Sequence, residues 1–156
     1  MNIRKANLDE FHTIWRGGES AGNIFGKHLK SGTAEFWIVE KDNKIIGRVY
    51  FFTILEDIDF ADGRNRAYIT NFYVNSNFRG QGIGTRLMES IFAKLIQSGF
   101  AEATIGVSES EIKNVQLYER LGFLNKIKKC NIDPICVAEN GNAIAMDEFL
   151  LLSKYL

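Results

Sequence analysis

Apolar and polar positions alternate from Asn2 to Ala6, which predicts a short opening strand. Leu8, Phe11, Ile14 and Trp15 then recur at helical spacing behind Asn7 and Asp9, two residues suited to capping a helix start, and Gly17-Gly18 predicts the stop. Residues 20–30 read as a second helix, interrupted by Gly22 and Gly26 and closed by Gly32. Residues 33–40 and 45–55 are β-rich runs on either side of Lys41-Asp42-Asn43-Lys44 and predict a hairpin, with Gly47 at a bulge or close approach. Tyr68 to Val74 predicts a strand, and Leu87, Met88, Ile91, Phe92, Leu95 and Ile96 form a broad helical stripe that Ser98-Gly99 ends. A strand over 101–107 completes a strand–helix–strand unit, right-handed and parallel by default. Residues 110–121 predict a short helix with Gly122 just past its end, and 123–129 and 148–155 predict two more strands. Residues 130–146 carry no clear period, with Pro134 and Glu139-Asn140-Gly141-Asn142 as turn signals. About seven strands and four helices result, an α+β (α/β mixed-sheet) chain with helices on both faces.

Between the strand and the long helix lies Arg79-Gly80-Gln81-Gly82-Ile83-Gly84-Thr85. Three glycines at alternate positions let the backbone turn without Cβ clashes. The first turn of a helix has amide hydrogens with no intrahelical partner. Those donors, the positive end of the helix dipole and Arg79 together make a seat for a phosphate or pyrophosphate. The spacing is neither the dinucleotide fingerprint G-x-G-x-x-G nor a P-loop, since no Gly-Lys-Ser/Thr follows. Read alone, a tight turn that binds nothing is the competing reading.

Composition narrows the classes. The chain has 156 residues, 46% hydrophobic and 24% charged, enough for one soluble domain with an ample core over 1–156. Nineteen Lys and Arg balance nineteen Asp and Glu, so no basic footprint points to nucleic acid. The absence of an 18-residue apolar run or a leader-like core predicts no membrane partner and a cytoplasmic protein. Cys130 and Cys136, six apart and with only His12 and His28 in the chain, match no metal pattern and read as free thiols; no metal is expected. Both histidines read as surface or helix-face residues. The run Glu56-Asp57-Ile58-Asp59-Phe60-Ala61-Asp62-Gly63 reads as a solvated loop, with an acidic rim attracting a cationic acceptor as the sharper alternative.

Arg79-x-x-Gly82-x-Gly84, followed about 30 residues on by Asn114-Val115-Gln116-Leu117-Tyr118-Glu119-Arg120-Leu121-Gly122-Phe123, resembles the GNAT family of acyl-CoA-dependent N-acetyltransferases. The likeness is strong over residues 66 to 128 and elsewhere extends only to element order. It implies acetyl-CoA as co-substrate, with Phe72, Tyr73 and Val74 offering a backbone edge to the pantetheine arm. It implies that the amides at Gln81, Gly82, Ile83, Gly84 and Thr85, with Gly80 and the Arg79 side chain, hold the pyrophosphate. It also places the family's tyrosine acid at Tyr118, with Asn114 one turn earlier on the same face. Many members carry a glutamate four residues before the valine that ends the strand; here that position is Thr70. An alkyl amine of pKa near ~10 must still lose a proton, at roughly 4–5 kcal/mol near neutral pH. Glu35, Glu56, Asp57 and Glu109 acting through water stay open as bases, as do bulk water and an acceptor of lower pKa. The expected activity is acetyl transfer to a primary amine of a small, cationic acceptor in a ternary complex. The alternatives are a non-catalytic acyl-CoA-binding module and a protein N-terminal or lysine acetyltransferase. C-terminal edge strands offer a route to a homodimer.

Overall fold

Strands that alternate apolar residues on both faces need cover on both, and the computed structural model, which describes residues 1–156, supplies it with helices. Seven strands form one sheet: β1 (Asn2–Lys5), β2 (Ala34–Lys41), β3 (Lys44–Phe52), β4 (Arg66–Val74), β5 (Glu102–Val107), β6 (Asn125–Cys130) and β7 (Phe149–Tyr155). Their spatial order is β1-β2-β3-β4-β5-β7-β6, and β4 and β5 are the parallel pair. The helices are α1 (Leu8–Ile14), α2 (Glu19–Ser31), α3 (Ile83–Gln97) and α4 (Ile112–Arg120). None is long and apolar enough to cross a membrane.

The two faces carry separate cores. Phe11 of α1 and Phe25 of α2 pack on Phe36, Tyr50, Phe52 and Tyr68. Leu87, Met88 and Ile91 of α3 and Tyr118 of α4 pack on the neighbouring positions Val49, Phe51, Ile69 and Ile105. That one-residue offset between the two sets is the two-residue strand period seen in packing. On the first face the aromatic rings interlock: Phe25 meets Tyr50 and Phe52 edge-on, each with centroids 5.0 Å apart.

Local chemistry explains most boundaries. Asn7 caps α1 in a capping box with Glu10, whose side chain reaches back to the Asn7 amide. The helix stops at Ile14, short of Gly17-Gly18, because Trp15 turns its ring over both Gly17 and Gly22 and donates Nε1–H to the Gly18 carbonyl. Gly22 therefore serves packing inside α2. Asp42 and Asn43 both adopt positive φ, 52° and 61°, which makes the two-residue turn between β2 and β3. Gly47 stands where a Cβ would lie 3.2 Å from the Tyr73 carbonyl oxygen, beside the register slip that leaves Ile46 as the extra residue. β3 ends at Phe52 instead of running to Leu55, and β6 begins at Asn125 instead of Phe123. At that second boundary Gly122 turns at φ 100° and the Phe123 amide donates back to the Tyr118 carbonyl, tucking the ring into the core.

The acidic rim is not present as a free cluster. Asp57 and Asp59 are held by Lys128 at 2.8 and 3.0 Å, and Asp62 accepts the amides of Arg64, Asn65 and Arg66. The loop is anchored by Phe60 and Ala61, both fully buried. Through Asp57 and Asp59 it folds against Lys128 of β6, while Glu56 stays exposed.

Truncating Phe25 removes the ring at the centre of the first core. Phe25→Ala is expected to lower unfolding stability by about 3–5 kcal/mol, read from urea denaturation followed by circular dichroism.

Candidate active site

β4 and β5 are paired from Arg66↔Glu102 to Ile69↔Ile105 and no further. Beyond that point β5 continues against β7, while β4 stays with β3 through Val74↔Gly47. The bend comes from a bulge: Asn71 and Phe72 together occupy the ladder space opposite Val49, and Asn71 takes φ 52° to do so. Asparagine tolerates that conformation better than most side chains. The strands open like a V, and the edge of β4 from Thr70 to Val74 is left without a partner on that side.

After β4 the chain makes a single 3-10 turn over Ser76–Phe78 and enters the glycine loop. Gly80 and Gly82 have φ of 78° and 79°, and Gly82 is the cap of α3 with no side chain bonded to the helix start. The first helical bond runs from the Arg86 amide to the Gly82 carbonyl, 3.1 Å. The amides of Gln81 through Thr85 donate to no protein acceptor. Arg79 uses only Nε, which donates to the Val74 carbonyl at 2.8 Å with the guanidinium over the Tyr73 ring, so both Nη groups remain free. At Gly84 a Cβ would stand 2.9 Å from the tip of the Phe72 ring, so a larger residue there would have to displace that ring where the helix passes close to β4.

These elements enclose a cleft of about 640 Å³ between β4, the glycine loop and α4. Of the cofactor-binding residues expected from sequence, Phe72, Tyr73, Val74, Arg79, Gly80, Gly82, Ile83, Gly84, Thr85, Asn114 and Tyr118 line it; Gln81 does not, and lies exposed on the loop. Lys113, Leu117 and Arg120 line it as well. They share the helical face of Asn114 and Tyr118, and that spacing was the available signal for them.

Tyr118 is 8% exposed. Burial, with the Glu111 carboxylate adding to it, pushes its phenol up to about 12, so it holds its proton throughout the neutral range. It also lines a second cavity, of about 470 Å³, and only Phe72 shares that position with it. This second space is walled by β4, β5 and three carboxylates, Glu111, Asp133 and Asp147, with no Lys, Arg or His. Thr70 lines it without an ionisable group. Asp133 is buried to 9% exposure; the Tyr68 phenol donates to its Oδ2 at 2.8 Å and the Ile135 amide to its Oδ1 at 3.2 Å.

None of the four carboxylates considered as bases from sequence reaches this cavity. Glu35 accepts from the Trp37 indole and lies 3.9 Å from Lys94, Asp57 is held by Lys128, and Glu109 lies 3.8 Å from Lys129. Glu56 is exposed on the loop before β4. His28 bonds Thr33 and packs on Phe52, and Cys130 and Cys136 are free thiols. Asp133 and Asp147 come from the aperiodic stretch before β7, and no local pattern marks them.

A family model described as the acetyltransferase (GNAT) family matches residues 3–123. N-acetyltransferase 8B of Rattus norvegicus is 26% identical over 101 residues, 65% of this chain and 44% of that protein. Thialysine N-epsilon-acetyltransferase of Mus musculus is 35% identical over 60 residues, 38% of this chain and 35% of that protein. The chain thus spans less than half the length of these curated relatives. In fold it superposes on a GNAT family acetyltransferase from Elizabethkingia anophelis with acetyl-CoA bound. The TM-score is 0.65 at 19% identity, over 99% of this chain and 97% of that one.

Arg79→Ala, which removes the two free Nη groups at the loop, is expected to weaken coenzyme A binding by roughly 10–100-fold, the scale of lost charge-assisted hydrogen bonds. Isothermal calorimetry measures it; an unchanged Kd would place the pyrophosphate elsewhere.

Proposed function

The chain belongs to the GNAT acetyltransferase family, and on that premise we propose that it moves an acetyl group from acetyl-CoA to the primary amine of a small acceptor by direct attack in a ternary complex. The observation that carries this reading is the position of Tyr118, in the wall common to a cleft lined by free amides and a cavity lined by carboxylates. The donor enters the first. Its pyrophosphate takes the amides of the glycine loop and the Arg79 Nη groups, and its pantetheine arm runs along the unpaired edge of β4 as an added strand would. The acetyl thioester is thereby delivered to the V between β4 and β5. The acceptor enters the second cavity, where the carboxylates and the absence of any cation favour an ammonium.

The amine nitrogen attacks the thioester carbonyl, and the tetrahedral intermediate expels the thiolate of coenzyme A. Tyr118, still protonated in the neutral range, gives its proton to the sulfur as the C–S bond breaks. No covalent enzyme intermediate is needed, and neither cysteine lines the two cavities.

A volume of about 470 Å³ suits a small molecule. One relative is named for acetylation at the epsilon nitrogen of thialysine, which supports an amine acceptor. A third space of about 300 Å³ meets the acceptor cavity at Asn71 and carries Arg16 and Arg48. Neither arginine is ion-paired; Arg16 donates to the Thr13 and Trp15 carbonyls and Arg48 lies 4.8 Å from the Tyr73 ring. An acceptor long enough to reach them gains from an anionic tail.

Thiol release from acetyl-CoA over a panel of diamines, ω-amino acids and aminosugars tests the reading. Turnover with a subset is expected, and acetyl-CoA binding without turnover would point to a non-catalytic module. In Tyr118→Phe, kcat is expected to fall about 100-fold while the Kd for acetyl-CoA stays within a few-fold of wild type.

A further inference from the structure

Thr70 cannot take a proton, and the carboxylates considered in its place lie elsewhere, yet the ammonium of an alkyl acceptor must be deprotonated before it can attack. Of the three carboxylates that line the acceptor cavity, Glu111 and Asp147 are exposed and Asp133 alone is buried. Asp133 lines the acceptor cavity, is buried, and is gripped at both oxygens. Its Oδ2 accepts from the Tyr68 phenol, and its Oδ1 accepts from the Ile135 amide. The Tyr68 ring is fixed in turn, 2% exposed and edge-on to Phe60. At Gly106 on β5, a Cβ would lie 3.5 Å from the Tyr68 hydroxyl and 3.1 Å from the Phe149 ring, so this wall of the cavity is held open by a residue with no side chain.

We propose that Asp133 is the general base of the transfer and that Tyr68 is its positioning residue. This rests on the acetyl-transfer reading above. Asp133 takes one proton from R–NH3+, leaving the lone pair free. The nitrogen forms a bond to the thioester carbon, and the carbonyl electron pair moves to oxygen. As that pair returns, the C–S bond breaks and its electrons go to sulfur, which takes the Tyr118 proton. The Tyr118 phenolate regains a proton from the cationic amide nitrogen, and Asp133 releases its own to solvent. Amide, free thiol and one proton result, with both side chains restored.

The surroundings set the pH response. Facing Asp133 are Tyr68 from β4 and Cys136 from its own segment, with Cys130 on β6 nearby; Glu111, Asp147 and Tyr118 line the same cavity. Lys128 on β6 is engaged by Asp57 and Asp59. Burial pushes the Asp133 carboxyl up, and the hydrogen bonds from Tyr68 and the Ile135 amide offset part of that rise. A base with a raised pKa is closer to the operating pH and better matched to an ammonium. It is also lost by protonation at a higher pH than an exposed aspartate would be, so activity falls as pH drops through its pKa.

The test compares kcat–pH profiles of wild type, D133N and Y68F with one acceptor, alongside calorimetric Kd values for acetyl-CoA. D133N, isosteric and unable to take the proton, is expected to lose about 100-fold in kcat and the acidic limb that Asp133 sets, with Kd within two-fold. Y68F keeps the base but removes a donor that favours its charged form, so its acidic limb is expected to move to higher pH. A limb set by the acceptor's own amine persists in all three proteins and is separated by that comparison. Wild-type kcat and an unaltered limb in D133N would overturn the assignment. If D133N does not fold, a Y68F profile that overlays wild type overturns it instead. A wild type whose thiol release does not rise with any amine fails the transfer reading itself, which is a different result from a working enzyme indifferent to Asp133.

Discussion

Two parallel strands in register close the space between them with hydrogen bonds, and nothing can lie there. In this protein the ladder between β4 and β5 holds up to Ile69↔Ile105 and is then broken by the bulge at Asn71 and Phe72. Everything chemical depends on that interruption. It leaves backbone donors and acceptors on β4 unpaired, an arrangement that is costly unless water or a ligand takes them up. It also turns the end of β4 toward the glycine loop, where Arg79 reaches back to the Val74 carbonyl. The bulge is held from behind by β3, where a Cβ at Gly47 would crowd the Tyr73 carbonyl at 3.2 Å.

The opening divides charge as well as space. On one side stand the amides of the first turn of α3 with Arg79, Lys113 and Arg120; on the other stand Glu111, Asp133 and Asp147. A site of this kind presents opposite potentials in its two halves. Tyr118 sits where the halves meet, among apolar neighbours that include Phe123 at 6.1 Å between centroids. Its burial is a product of core packing. The same packing raises its pKa, which is how the fold's stability and the site's protonation state become one matter.

The donor half was legible in the amino-acid order because its determinants are local. Alternate glycines, a helical stripe and an arginine just upstream lie within twenty residues and obey short-range rules. The sheet was legible for the same reason, with errors confined to ends such as Trp15 and Phe123, where a tertiary contact overrode the local pattern. The acceptor half was not legible. Asp133 meets Tyr68 across 65 positions, and Lys128 meets Asp57 across 71; neither pairing leaves a trace in periodicity. The acidic loop looked available because its neutralising lysine is far away in sequence. Asp133 precedes Pro134 in a run that carries only turn signals, and turns favour aspartate for reasons of their own.

The stretch from 131 to 148 belongs to no helix or sheet strand, apart from one isolated bridge between Val137 and Ala143. Its hold on the molecule comes from a few side chains, Ile135 foremost. Asp133, bonded to Tyr68 of β4, and the Glu139 carbonyl, which accepts from Ser20 of α2, add to that hold; replacements elsewhere in the stretch remove no ladder or helical hydrogen bond. On the transfer reading proposed above, small edits there reshape the acceptor's berth while the glycine loop stays intact, so preference for what is acylated is free to diverge faster than the machinery that supplies the acyl group.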